Sequence, residues 1–102
     1  MFVITLTYIR PLDELDELDE LDALMPKHVA WLKKHYKSGL FIASGRQVPR
    51  TGGVILARSG DRRALEDIVQ LDPFVQGACA RAEVVEFAPS MTAPGAEVLK
   101  KL

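Results

Sequence analysis

The sequence is poor in cysteine and contains no long apolar run. Cys79 is the single cysteine in 102 residues, which excludes an internal disulfide and a cysteine-rich metal site. No apolar run approaches the ~18 residues that a membrane helix needs. The first residues lack the basic start and the cleavage site of a secretory signal peptide. We therefore expect a cytoplasmic protein that does not insert into a membrane.

An excess of charge of either sign is also missing. Thirteen Lys and Arg face 14 Asp and Glu, for a formal net charge of -1. Proteins that bind nucleic acid through bulk positive charge have a clear surplus of basic residues, so a nucleic-acid partner is not expected. A chain of this length favours one domain. A small domain buries a modest fraction of its surface, and a second copy covering an apolar face would stabilise it.

The pattern of apolar residues predicts four strands and two helices. Residues 2–9 and 81–87 alternate, while 40–46 and 54–57 are short apolar runs, and all four read as strands. Helices are predicted over 26–37 and 62–71. The resulting order, β-α-β-β-α-β, indicates an α+β, ferredoxin-like fold in which both helices cover one face of an antiparallel sheet. The other apolar face would need a partner, and a homodimer through that face is the simplest solution.

An acidic repeat, L-D-E-L-D-E-L-D-E-L-D-A-L, occupies residues 12–24. A period of three spreads the leucines around a helix instead of aligning them in one stripe. The acids are spread as well and form no coordinating loop, so a solvated helix or an ordered loop is favoured over a metal site. Pro26 is typical of a first helical turn, and we expect the helix to start there, kinked or broken from this repeat.

His28 is the first candidate for chemistry. It is either an ordinary hydrogen-bonded residue at a helix start or an acid/base, because histidine titrates near neutral pH. Asp72 precedes a proline, which is common turn chemistry, but the end of the second helix could bring it to His28. A carboxylate there would fix the tautomer of the imidazole. His35 is weaker, since it lies between Lys34 and Tyr36 near the helix end.

Two glycine-containing stretches are candidate binding elements. Ser44, Gly45 and Arg46 end a strand beside a flexible turn, where Gly45 could let a ligand approach the backbone. Ser44 lacks the sequence surroundings of a catalytic serine. Gly52 and Gly53 are not followed by a helix with phosphate-loop spacing, so nucleotide binding is disfavoured. We expect no cofactor and no metal.

Four motifs in this order resemble the YciI-like family: P-K-H-V-A-W-L, G-L-F-I-A-S-G-R, G-G-V-I-L-A and D-P-F-V-Q-G. The resemblance covers about residues 2–89 and implies a domain over 1–89, followed by a tail over 90–102. It also implies a dimeric α+β barrel and a pocket near the dimer interface. In that pocket His28 and Asp72 would form a His-Asp pair. Ser44, Gly45, Pro73 and Phe74 would line it.

The resemblance has one departure near the site. The family often has Arg three positions before the histidine, where this chain has Met25. The protein therefore either binds a different compound or uses Lys27 or Arg46 to hold an anionic substrate.

The resemblance is also consistent with more than one function. The first is a small cofactor-free enzyme, of lyase, isomerase or dehydrochlorinase type, in which His28 and Asp72 perform acid/base chemistry on a small organic substrate. The alternatives are a dimer that binds a small molecule without turnover, and a structural dimer with an inert pocket.

Overall fold

The computed structural model describes residues 1–9 and 15–102, with side chains for 1–9 and 19–102. Its strands and helices follow in the order β1 (Phe2–Tyr8), α1 (Leu15–Lys37), β2 (Phe41–Arg46), β3 (Gly52–Ala57), α2 (Arg62–Gln70), α3 (Pro73–Gln76) and β4 (Ala80–Glu86), with a final 3-10 helix (Glu97–Lys101). The predicted β-α-β-β-α-β order is confirmed, and α3 adds one helical turn before β4.

The four strands form one sheet in the order β2-β3-β1-β4. Every neighbouring pair is antiparallel. The predicted α+β, ferredoxin-like architecture is therefore confirmed. It places β1 in the centre, and it leaves β2 and β4 at the two edges.

Alternation along β1 explains how the sheet meets the helices. Phe2, Ile4 and Leu6 are at most 3% exposed, whereas Val3 and Thr5 between them are only half-buried. Successive strand residues point to opposite faces, so the even-numbered side chains pack beneath the helices. The main core combines them with residues from α1, the other strands and α2: Trp31, Phe41, Ile55, Ala57, Leu65 and Val69.

Helix α1 corrects one prediction. It runs from Leu15 to Lys37 with Pro26 in its interior, so the prediction that the helix starts at Pro26, broken from the acidic repeat, is wrong. An internal proline costs about 3 kcal/mol. Leu21 is fully buried, and Leu24 and Met25 pack beside it against a second core that contains Phe74, Cys79 and Ala80. Burying one leucine contributes about 2 kcal/mol, and the three together offset the proline.

The C-terminal part of the repeat is therefore more than a solvated helix, because one of its leucines is buried. Residues 12–14 of the repeat lie outside the described part of the chain, and Leu21 near its end anchors α1 to the second core.

The C-terminus of α1 is fixed by a glycine cap. Gly39 has φ +85°, a conformation that glycine adopts without steric cost. The amide of Gly39 donates to the carbonyl of Tyr36, and the amide of Leu40 donates to the carbonyl of His35. These two bonds define a Schellman motif. The cap turns the chain directly into β2.

Gly52 starts β3 at a point of close backbone approach. Its φ is +156°, and a Cβ there would lie 1.7 Å from the carbonyl oxygen of Leu6. Only glycine fits beside β1 at this position. Within the described chain, no helix has the length and apolar character needed to cross a membrane.

Candidate active site

A cleft of about 300 Å³ opens between α1 and the sheet. Helix α1, strands β1 to β3, the β2–β3 loop and α3 all contribute to its walls. The lining residues are mostly apolar, as is usual for small-molecule sites. The polar side chains among them are Tyr8, His28, Ser44, Arg46 and Arg50.

His28 lines this cleft and contacts Asp72, which is not itself among the lining residues. Nδ1 of His28 lies 2.6 Å from Oδ1 of Asp72, although 44 residues separate them in sequence. The His28 side chain is 12% exposed and the Asp72 side chain is fully buried. Asp72 also accepts a 3.1 Å hydrogen bond from the amide of Phe74, as the N-cap of α3. That cap fixes the carboxylate independently of His28 and aims it at the imidazole.

Aromatic side chains hold the His28 ring in place. The Phe74 ring stacks on it with centroids 4.2 Å apart and an interplanar angle of 14°. Trp31, one helical turn along α1, lies 5.8 Å away on centroids. An imidazole with one nitrogen bonded and one face covered has little rotational freedom. Asp72 and Phe74 therefore hold the His28 ring in one orientation.

This geometry sets what the His28 ring can do. A carboxylate accepts but does not donate when ionised, so Nδ1 carries the hydrogen and donates to Asp72. Nε2 is then the unprotonated nitrogen of the neutral ring, able to accept a proton from a substrate in the cleft. If Nε2 is protonated, the carboxylate stabilises the resulting imidazolium. Such an arrangement can serve as a base and its orienting group.

Ser44 and Gly45 form part of the opposite wall. The hydroxyl of Tyr36 donates a 2.6 Å hydrogen bond to Oγ of Ser44, which leaves the serine hydrogen available to a ligand. A Cβ on Gly45 would meet nothing within 4 Å, so the cleft is open over that backbone. Both residues line the cleft, as the resemblance implies.

The basic residues near the site differ in whether they line the cleft. Arg46 lines the cleft and so does Arg50, which sequence reasoning missed. Lys27 is exposed and is not among the lining residues. Met25 lines the cleft on the α1 side and supplies no charge. The positive charge of this site therefore comes from the β2–β3 connection.

Phe74 and Pro73 are also placed differently from one another. Phe74 lines the cleft and is 3% exposed. Pro73 is the first residue of α3 and is absent from the lining residues. Its fixed φ suits a helix start, and it acts by setting the turn that carries Asp72 and Phe74.

Two contributors to the site escaped the sequence-based analysis. Tyr36 lies near the end of α1, and its hydroxyl donates a hydrogen bond to Ser44. Arg50 follows Pro49 in the turn that connects β2 and β3. The sequence signal for Arg50 is that it lies four positions after Arg46, within one tight connection between paired strands.

His35 lies outside the cleft, in the main core. It is 9% exposed, and its ring contacts Trp31 and Phe41 at centroid distances of 5.5 and 5.1 Å. Burial lowers the pKa of His35, and the nearby charge of Lys34 lowers it further. Among the residues that the structure describes, no group of three or more His, Cys, Asp and Glu could hold a metal ion.

Comparison with known proteins places the chain in a family. A search of curated proteins found no match. Among solved structures, the chain resembles 5-chloro-2-hydroxyhydroquinone dehydrochlorinase (TftG) from Burkholderia phenoliruptrix AC1100, determined in complex with 2,5-dihydroxybenzoquinone. The TM-score is 0.61 at 16% identity, covering 85% of this chain and 93% of that one. At this identity the likeness establishes the fold. The model of the YCII-related domain matches residues 1–88, and the chain therefore belongs to the YCII-related, or YciI-like, family.

Proposed function

We propose that the protein is a small enzyme in which His28, oriented by Asp72, transfers a proton to and from a small organic substrate. The observation that carries this proposal is the 2.6 Å bond between Asp72 Oδ1 and Nδ1 of His28, which lines the cleft. A buried carboxylate bonded to the far nitrogen of an imidazole is the usual way to orient a general base.

The proposed chemistry uses the chain's own residues. Nε2 of His28 removes a proton from a carbon or oxygen of the substrate, and Asp72 stabilises the imidazolium. In an elimination, the electron pair of the broken C–H bond forms a new double bond, and a leaving group such as chloride departs with its own pair. In an isomerisation, Nε2 returns the proton to another carbon. Ser44 donates a hydrogen bond to an oxygen on which negative charge develops.

Small ring compounds are the proposed substrate class. The cleft, at about 300 Å³, is at the small end of ligand sites. A structural neighbour is a dehydrochlorinase whose structure contains 2,5-dihydroxybenzoquinone, which supports the same class for this chain. Lyase or isomerase activity is therefore the reaction type to test.

The test is a turnover assay with matched histidine variants. A panel of hydroxylated rings, including 5-chloro-2-hydroxyhydroquinone, is incubated with protein in D₂O, and NMR follows both chloride loss and deuterium incorporation. His28→Gln keeps an amide donor for Asp72 but removes the base, and we expect a loss of about a hundredfold or more. His35→Gln alters the other histidine and should retain the activity. Turnover that survives in His28→Gln excludes the proposed base, and tight binding without turnover identifies a non-catalytic binding protein.

A homodimer through the open sheet face is part of the proposal. Val3 pairs with Leu56 on one side and Val85 on the other, forming an apolar row across three strands opposite the helices. Val85 is 59% exposed. A second copy would cover this row. Light scattering should give twice the 11.3 kDa chain mass, and Leu56→Arg should shift it to the monomer. A wild-type monomer at micromolar concentration argues against the dimer.

A further inference from the structure

Arg46 and Arg50 give the cleft a charge that the proton-transfer chemistry does not use. Arg46 is the last residue of β2, and Arg50 lies in the loop before β3. Both side chains border the same cleft as His28. We propose that these two arginines bind the anionic group of a small, otherwise apolar ligand. The inference deepens the proposed function, on which it rests, by naming the group that anchors the substrate.

The charged side chains that line the cleft in the described chain have one sign, and the carboxylate of Asp72 is fully buried against His28. None of its described lining residues is Asp or Glu, and apart from His28 its ionisable cations are Arg46 and Arg50. A cleft with apolar walls and charges of one sign focuses the electrostatic potential on a ligand of the opposite sign. The overall net charge of -1 does not reveal this local excess of positive charge. The site therefore selects an anion from solution although the protein as a whole does not.

Neither guanidinium has a protein partner in the described chain. The hydrogen bonds and ion pairs of the described residues include none from the side chain of Arg46 or Arg50. Arg62 provides the contrast, since it bonds both Glu66 and the carbonyl of Val84. Arg50 is half-buried, and a partly buried charge without a partner is costly. A bound anion removes that cost.

The geometry of the walls limits the anion to one end of the ligand. The two arginines lie on the β2–β3 side, and Met25 on the α1 side supplies no charge. A guanidinium matches the two oxygens of a carboxylate through parallel hydrogen bonds. The rest of the ligand meets apolar side chains near His28 and Phe74. The ligand class is a compact carboxylate, or a ring compound with an equally localised negative charge.

Benzoate and benzamide test this inference, because they have nearly the same shape and differ in charge. Binding is measured by titration of ¹⁵N-labelled protein, following the backbone amides of Gly45 and Gly53 beside the arginines. The wild type should bind benzoate about tenfold more tightly than benzamide, as one net charge-assisted hydrogen bond implies. Added salt should weaken benzoate binding and leave benzamide unchanged.

Variants assign the preference to the two arginines. Arg46→Gln combined with Arg50→Gln should remove the preference for benzoate without changing the affinity for benzamide. Arg58→Gln is the matched control, because Arg58 is exposed, follows β3 and does not line the cleft; it should keep the preference. Equal binding of the two probes, no benzoate binding at millimolar concentration, or a preference that survives in the double variant overturns the inference.

His28→Gln separates this inference from the proposed function. The variant should lose turnover and still prefer benzoate, because the arginines remain in place. If His28→Gln keeps its turnover while the arginine variant loses the preference, the proposed base is wrong and the anion site stands. If the arginine variant keeps the preference while His28→Gln loses turnover, the anion site is wrong and the base stands.

Discussion

The two histidines of α1 lie two helical turns apart and occupy opposite environments. His28 borders the cleft and bonds to the buried carboxylate of Asp72. His35 is enclosed by Trp31 and Phe41 in the main core, where burial lowers its pKa. Aromatic rings contact both side chains, so neither burial nor aromatic packing distinguishes the two histidines. The difference is the carboxylate bonded to the ring of His28. A histidine is suited to acid/base chemistry when a hydrogen bond at one ring nitrogen determines which nitrogen carries the proton.

The largest effect should come from truncating His28. His28→Ala leaves Asp72 buried with the Phe74 amide as its remaining donor among the described residues, while the other carboxylate oxygen, Oδ2, already lacks a partner in the described structure. An uncompensated buried charge costs about 3 kcal/mol, which urea denaturation would measure as a lower free energy of unfolding.

The matching double-mutant cycle with Asp72→Ala sharpens this result. Loss of the carboxylate should make the His28→Ala change much cheaper, with a coupling energy of about 2 kcal/mol. The same cycle between His35→Ala and Asp72→Ala should be additive. Additivity in the first cycle would show that the bond between the two side chains contributes little to stability.

A smaller effect is expected from Asp72→Asn. The amide can still accept from Phe74, but the charge-assisted bond to His28 is lost, at about 1.5 kcal/mol of unfolding free energy. The variant should also raise the population of the His28 tautomer with its hydrogen on Nε2, because a neutral amide oxygen favours a hydrogen on Nδ1 less than a carboxylate does. Long-range ¹H–¹⁵N NMR spectra report the tautomer. An unchanged His28 spectrum beside an unchanged stability would contradict the orienting role.

The smallest effect concerns pH and His35. Because its folded pKa lies below the unfolded value of about 6.5, the unfolded chain binds the proton more readily. The contribution of His35 to the free energy of unfolding is therefore complete above about pH 6.5 and is lost as the pH falls below that value. His35→Phe keeps a ring in the core and removes the titration. It should flatten the decline in unfolding free energy between neutral and mildly acidic pH. A decline equal to that of the wild type would assign the acid sensitivity to other groups.

Much of the fold follows from local patterns. Alternation in residues 2–8 specifies a strand with one buried face, Gly39 specifies a helix end, and Asp61 specifies a helix start, where its carboxylate accepts from the amides of Arg63 and Ala64. Such features involve neighbours a few residues apart, so residue type and spacing determine them. The order of these elements then leaves few topologies to choose from, and the ferredoxin-like one is observed.

The candidate site could be predicted only in part. His28 and Asp72 were paired by family resemblance and by the topology, and their 2.6 Å contact across 44 residues depends on how α3 packs against α1. Pro26 shows the limit of local rules. Its propensity favours a helix start, but burial of Leu21 and its neighbours in the second core continues the helix through it.

The sequence by itself determined the strand and helix types, the fold class and some of the residues able to carry chemistry, among them His28 and Asp72. Tertiary structure decided which of those residues share a cleft. It brought Arg50 beside Arg46 and His28, bonded Tyr36 to Ser44, and separated the two histidines into a site residue and a core residue. The physical reason is distance along the chain. Local conformation is set by adjacent residues, whereas a site is assembled by packing between elements far apart in sequence.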